Sequence, residues 1–254
     1  MSGSSCSPGD RWMTSTKKPL APVIVAALLF LALAPIAVDT YNSLNQRAFL
    51  DLVLRGNPFT LALSSRVQFG AASWPLDWPY PPLTMLLILP AWGAFRLTHS
   101  EAAYQLLFKL PLFACAVATQ ALLLRLLAAE RPRSSRMVAA QYYVVNPGIV
   151  LLTTVAGGFD VVAGLLILLA IFYARSRRWV AAALALGVAG ALRLYPLALV
   201  PVLLVHQWRA GTRKPGEAGF SALAAFAPLL ASCIPFLASD AAGFFRTLAS
   251  QQGV

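Results

Sequence analysis

The stretch WVAAALALGVAGALRLYPLALVPVLLVHQW, residues 179–208, decides how the fold is read. As one helix its length would be about 45 Å, against a hydrocarbon core of about 30 Å. Arg193 interrupts the run, and Tyr195-Pro196 follows directly. An arginine at bilayer depth costs roughly 2.5–3.5 kcal/mol on insertion scales. A turn near Tyr195-Pro196 divides the run into two short legs. It also lifts Arg193 to an interface, where a guanidinium can meet an anion.

The rest of the chain agrees with that turn. Of the 254 residues, 59% are hydrophobic and only 11% charged, far from the composition of a soluble domain. Apolar runs recur at about 22–38, 82–97, 103–128, 137–155, 159–174, 179–208 and 220–238. The expected class is all-α, a polytopic transmembrane helical bundle. The net charge of +11 does not indicate a nucleic-acid partner, because the basic residues fall in short loops between apolar runs. Lys17 and Lys18; Arg131, Arg133 and Arg136; Arg175, Arg177 and Arg178; and Arg209, Arg213 and Lys214 form these clusters. All reach the cytoplasm if 179–208 turns back and if 82–97, interrupted by Pro90, dips in as a re-entrant helix. Asp39, the stretch from Asn146 to Asp160, and Arg193 then share the outer face. The expected localisation is a multi-pass membrane protein, in the plasma membrane of a prokaryote or the endoplasmic reticulum of a eukaryote.

Residues 1–19 read as a disordered cytoplasmic tail, and residues 20–254 as one transmembrane module. No small-residue cleavage site follows the first apolar run, so that run reads as an uncleaved anchor. The first outer loop spans about 39–82. Within it, Leu44, Ala48, Phe49, Leu52 and Val53 share one helical face, and Arg47, Asp51 and Arg55 another. This predicts an amphipathic helix lying in the membrane interface, with Asp51 paired to Arg47 and Arg55. SWPLDWPYPP, residues 73–82, adds aromatic residues suited to an interface and a proline-stiffened backbone. Cys6, Cys115 and Cys233 are far apart and suggest neither a disulfide framework nor a metal site.

Several residues could carry chemistry. Asp39 follows the first apolar run and could act as a general base towards a hydroxyl; an ordinary interfacial aspartate is the alternative. Asp77 is a second candidate, since the proline-rich loop could fold back over the site. VVNPGIVLLTTVAGGFDVVAGLL, residues 144–166, holds Asn146, Pro147, Gly157, Gly158 and Asp160, which should break or bend the helices. Broken helices at membrane depth usually line a polar cavity. Asp160 reads either as an N-cap or as a substrate contact. Lys109 and Arg193 are intramembrane cations, suited either to snorkelling or to a phosphate. No zinc, haem or phosphate-loop motif is visible.

LRGNPFTLA (54–62), WPYPPLTMLLILP (78–90), LLFKLPLFA (106–114), VVNPGIV (144–150), GGFDVVAGLLILLA (157–170) and GVAGALRLYPLALVPVLL (187–204) occur in an order that resembles the GT-C superfamily of integral membrane glycosyltransferases. The nearest branches are the polyprenol-phosphate-dependent mannosyltransferases of the family 87 type and the catalytic subunit of GPI mannosyltransferase I. This resemblance implies a GT-C-like bundle and inverting transfer of a hexose, mannose favoured. The donor would be a polyprenyl or dolichyl phosphate sugar and the acceptor a hydroxyl of a glycolipid or glycan. It implies Asp39 as the catalytic base, with Arg193, Lys109, Asp160, Tyr195, Asn146 and Asp77 binding substrate. No resident cofactor is implied, and a divalent metal is disfavoured because Tyr41 stands where the pattern often has a second acid. Gly158 replaces a polar residue of that pattern, and Ala116 replaces an acid. Relatives continue beyond the segment matching FFRTLASQQGV, so the module reads as lacking its C-terminal part or a partner subunit. These departures keep a second reading open: an inactive fragment or a non-catalytic partner of such an enzyme. A transporter is the third, although the half-sequence symmetry it should show is not visible.

Overall fold

The computed structural model describes residues 20–37, 40–55, 58–69, 72–76, 80–128, 139–210 and 215–250. The expected tail, residues 1–19, and Asp39 and Asp77 lie outside these residues. Helix α1 is Leu20–Leu33, with Pro22 in its first turn, where no amide donor is needed. Phe30 of α1 stacks on Phe113 at 4.7 Å between ring centroids. Helix α2, Thr40–Arg55, and the short α3, Pro58–Ser64, come next.

The apolar face of α2 is present, but protein covers it. Phe49, Leu50 and Leu52 are buried in one core with Met85, Ile88, Tyr104 and Phe108. This corrects the interfacial-helix expectation: the periodicity identifies the apolar face, not what lies against it. The expected all-α class holds in its coarse form, with one local addition. Strands β1, Arg66–Phe69, and β2, Ala72–Pro75, pair antiparallel with Arg66 opposite Pro75. The molecule is thus mostly helical, with one small hairpin.

Helix α4, Thr84–Thr98, is continuous through Pro90. The interruption expected at Pro90 is absent. The chain reverses instead at His99, which adopts left-handed φ 53°. Helix α5, Glu101–Ala128, then packs along α4.

The expected break at Asn146 is a compact series of short turns. A 3-10 turn at Tyr143–Val145 leads into α6, Pro147–Val150, and a π-helical turn at Leu151–Val155. The next residues include Gly157 at φ 63°, a left-handed position that an L side chain resists. Helix α7, Asp160–Arg175, follows.

The run 179–208 divides as the sequence predicts. Helix α8, Trp179–Leu192, ends at Arg193, which is extended at φ −147°. A 3-10 turn at Tyr195–Leu199 precedes α9, Val200–Arg209. Pro196 lies in that turn, where its missing amide leaves no helical bond unmade. Helix α10, Pro215–Ser250, has a non-helical break at Asp240.

Helix α8 is the packing centre, held mainly by α7 and α10. Its small residues permit this: Ala182, Ala183, Ala189 and Ala191 are wholly enclosed. A Cβ on Gly187 would come within 2.4 Å of the Ala225 carbonyl oxygen of α10, so the backbones approach through the glycine.

Among the described residues, two helices are long and apolar enough to cross a membrane, within Glu101–Ala128 and Gly216–Arg246. Only 11% of the most apolar window of the second is buried by protein, so it is not an enclosed soluble core helix. Phe220, Leu223, Leu230 and Ile234 face outward there.

Candidate functional site

The break after α8 brings Arg193 to the start of α7. Arg193 donates from Nη2 to Asp160 Oδ2 at 3.2 Å. The guanidinium lies 4.8 Å from the Tyr80 ring centroid, a cation–π arrangement. Asp160 is the first residue of α7, so its carboxylate lies at the positive end of the helix dipole; Phe159, not Asp160, takes the capping position. The Arg193 side chain is 28% exposed and that of Asp160 45%, so the pair opens to the surroundings. Arg193 Nε is buried and has no hydrogen-bond partner. Tyr195, in the turn outside both candidate spans, is exposed beside them. Its phenol is raised above its ordinary range, first by partial burial and then by the Asp160 charge, with Arg193 opposing.

The structure therefore gathers Arg193, Asp160 and Tyr195, and adds Tyr80, which sequence reasoning missed. The aromatic-rich loop was visible, but its contact with Arg193 spans more than a hundred residues. Tyr80 also meets Phe159 edge-on at 5.2 Å, and Phe159 meets Phe108 at 5.7 Å. Gly157 lies against Phe108, where an added Cβ would approach to 2.5 Å. The glycine thus serves both the left-handed turn and the ring contact.

Asn146 and Lys109 stand elsewhere. Asn146 accepts from the Gly148 amide at 2.9 Å and caps α6. Lys109 is 1% exposed, and its Nζ donates to the Ala34 carbonyl at 3.3 Å and to the Ala37 carbonyl. It therefore secures the end of α1, where carbonyls lack helical partners and a cation suits the dipole.

A second polar cluster braces α2 on α5. Arg47 pairs with Glu101 at 2.7 Å and stacks 4.0 Å from the Phe95 centroid. Ser43 donates to Glu101 at 2.9 Å, Gln105 does the same at 2.9 Å, and the buried Tyr104 hydroxyl donates to Gln46 at 2.7 Å. Asp51 accepts from Trp92 Nε1 at 3.0 Å and Arg96 at 3.3 Å, which corrects the expected pairing with Arg47 and Arg55. At the break in α10, the buried Asp240 accepts from the Thr60 amide at 2.7 Å and caps α3. Among the described residues, no three His, Cys, Asp or Glu side chains gather as metal ligands.

A sequence profile described as GPI transamidase subunit PIG-U matches residues 44–246, most of the chain. The chain belongs to the PIG-U family. No curated protein matches in the same comparison, and no solved structure does. PIG-U membership overturns the expected hexosyltransferase, mannosyltransferase activity included. The physical reason is visible in the motifs that suggested it. VVNPGIV and GGFD supply a helix cap, a left-handed turn and the start of a helix, while RLYP supplies a break. They record where helices are interrupted, not which bond is made there. The alternative of a non-catalytic partner subunit fits the PIG-U family.

Proposed function

We propose that the chain is a non-catalytic, multi-pass subunit of a GPI transamidase assembly in the endoplasmic reticulum membrane. There it holds lipid and companion subunits in place. The family match over residues 44–246 carries this reading. The charge geometry supports it. The described carboxylates of the two clusters are engaged within the fold: Asp160 with Arg193, Glu101 with Arg47 and Asp51 with Arg96. Each of these carboxylates gives an oxygen to an internal donor, an engagement that competes with service as a general base.

In this reading the Arg193 site receives the phosphate of the lipid. Asp160 takes one Nη2 hydrogen and Tyr80 covers one face, so the remaining N–H groups of the guanidinium are the donors offered to an anion. Tyr195 stands beside it to contact the headgroup. The basic clusters face the cytoplasm and Arg193 faces the lumen.

The test is reconstitution of the purified chain with a GPI lipid or with a polyprenyl phosphate hexose and a glycan acceptor. The expected result is GPI lipid retention with no hexose transfer. Hexose transfer that disappears in Asp39→Asn would overturn the proposal.

A further inference from the structure

The opposite end of α8 carries a separate cavity of about 740 Å³ between the starts of α8 and α10 and the end of α9. Arg177 and Arg178 line it, and Arg178 takes the capping position of α8 without a side-chain cap. The first turn of α8 therefore presents backbone donors and the positive end of its dipole to the cavity. Two further wall residues point to a ligand. Gln207 is 1% exposed and Ser221 wholly buried, yet Gln207 Oε1 and Ser221 Oγ have no hydrogen-bond partner. A buried polar atom without a partner costs about 1–3 kcal/mol, so a bound group supplying partners would offset two such costs. Val180, Leu184 and Phe220 form the apolar side and are exposed outward. Glu217 also lines the cavity, so an anion is directed to the arginine side.

We propose that this cavity binds an anionic glycerophospholipid whose headgroup carries hydroxyls, drawn from the leaflet that the basic clusters face. The phosphate lies at Arg177, Arg178 and the N-terminus of α8. Gln207 Oε1 accepts from a headgroup hydroxyl, and Ser221 completes the contact. An acyl chain follows Val180, Leu184 and Phe220 into the bilayer. The site is distinct from the Arg193 cluster, since the fourteen residues of α8 separate them by about 20 Å.

The experiment places the full chain in phosphatidylcholine nanodiscs containing phosphatidylinositol or phosphatidic acid and measures co-released lipid by native mass spectrometry. Phosphatidylinositol should be retained over both other lipids. R177Q/R178Q should lower retention by roughly fivefold per arginine. R175Q/R209Q makes the same charge change outside the cavity wall and should leave retention near wild type. Gln207→Leu should abolish the preference for phosphatidylinositol over phosphatidic acid. Leu184→Trp blocks the exposed apolar side without entering the core and should lower retention of both; it carries the test if Gln207→Leu fails to fold. Equal losses in the two arginine pairs would mean diffuse surface attraction and would overturn the proposal. Unchanged selectivity in folded Gln207→Leu would overturn it as well, as would displacement of the lipid by inorganic phosphate alone.

Discussion

At the scale of single residues, the Arg193–Asp160 pair separates a structural from a ligand-holding role. A half-exposed ion pair contributes about 1 kcal/mol or less to stability. Arg193→Met should thus lower thermal stability slightly while removing most GPI lipid binding. Arg193→Lys should bind with intermediate affinity, keeping the charge but losing the fork. Asp160→Asn combined with Arg193→Met should regain stability, because no carboxylate is left unpaired, yet still fail to bind. Recovery of lipid binding in the double variant would make the pair purely structural. Gly157→Ala should destabilise by about 1–3 kcal/mol in a denaturation series, since it strains a left-handed backbone and pushes on Phe108. The sequence singled out Arg193, Asp160 and Tyr195, which the structure brings together, because charge and a Tyr-Pro pair are conspicuous in apolar surroundings. It could not join Arg193 to Tyr80, and it assigned Lys109 to substrate because a lone cation does not reveal that helix-end carbonyls surround it.

At the scale of elements, the breaks were legible and the docking partners were not. Arg193 and the Tyr195-Pro196 pair interrupt an apolar run too long for one span, so the turn after α8 follows from local chemistry. The covering of α2 depends on Tyr104 and Phe108 more than fifty residues away, and periodicity carries no such information. The hairpin at 66–75 escaped notice because its four-residue strands lie beside a proline-rich loop. Pro90 suggested an interruption, but α4 runs through it and the chain reverses at His99. The tightest element contact gives a direct prediction. Gly187→Leu should separate α8 from α10 and cost about 1–3 kcal/mol or more, read as a lower unfolding temperature in detergent. Gly164→Ala, at a glycine with open space around it, should be near neutral. Equal effects of the two substitutions would contradict the close backbone approach.

At the scale of the whole molecule, composition alone indicated a membrane protein, and two long apolar helices with little protein cover agree with it. Charge patterning predicts the orientation. In a cysteine-free background, a cysteine at Ser176 should be labelled from the cytoplasm and one at Ser73 from the lumen. Both positions are exposed, so protection by the fold does not interfere. Labelling of Ser176 from the lumen would reverse the arrangement and place the Arg193 cluster on the cytoplasmic side. The function was the least legible feature, because motifs that interrupt helices look alike whether or not a bond is made beside them. The most direct measurement is isolation of the tagged full chain from endoplasmic reticulum membranes in mild detergent, with quantitative mass spectrometry of what accompanies it. The account predicts that the GPI transamidase subunits co-purify in near-equal amounts and that transamidase activity follows the chain. A chain that purifies without any transamidase subunit would contradict it.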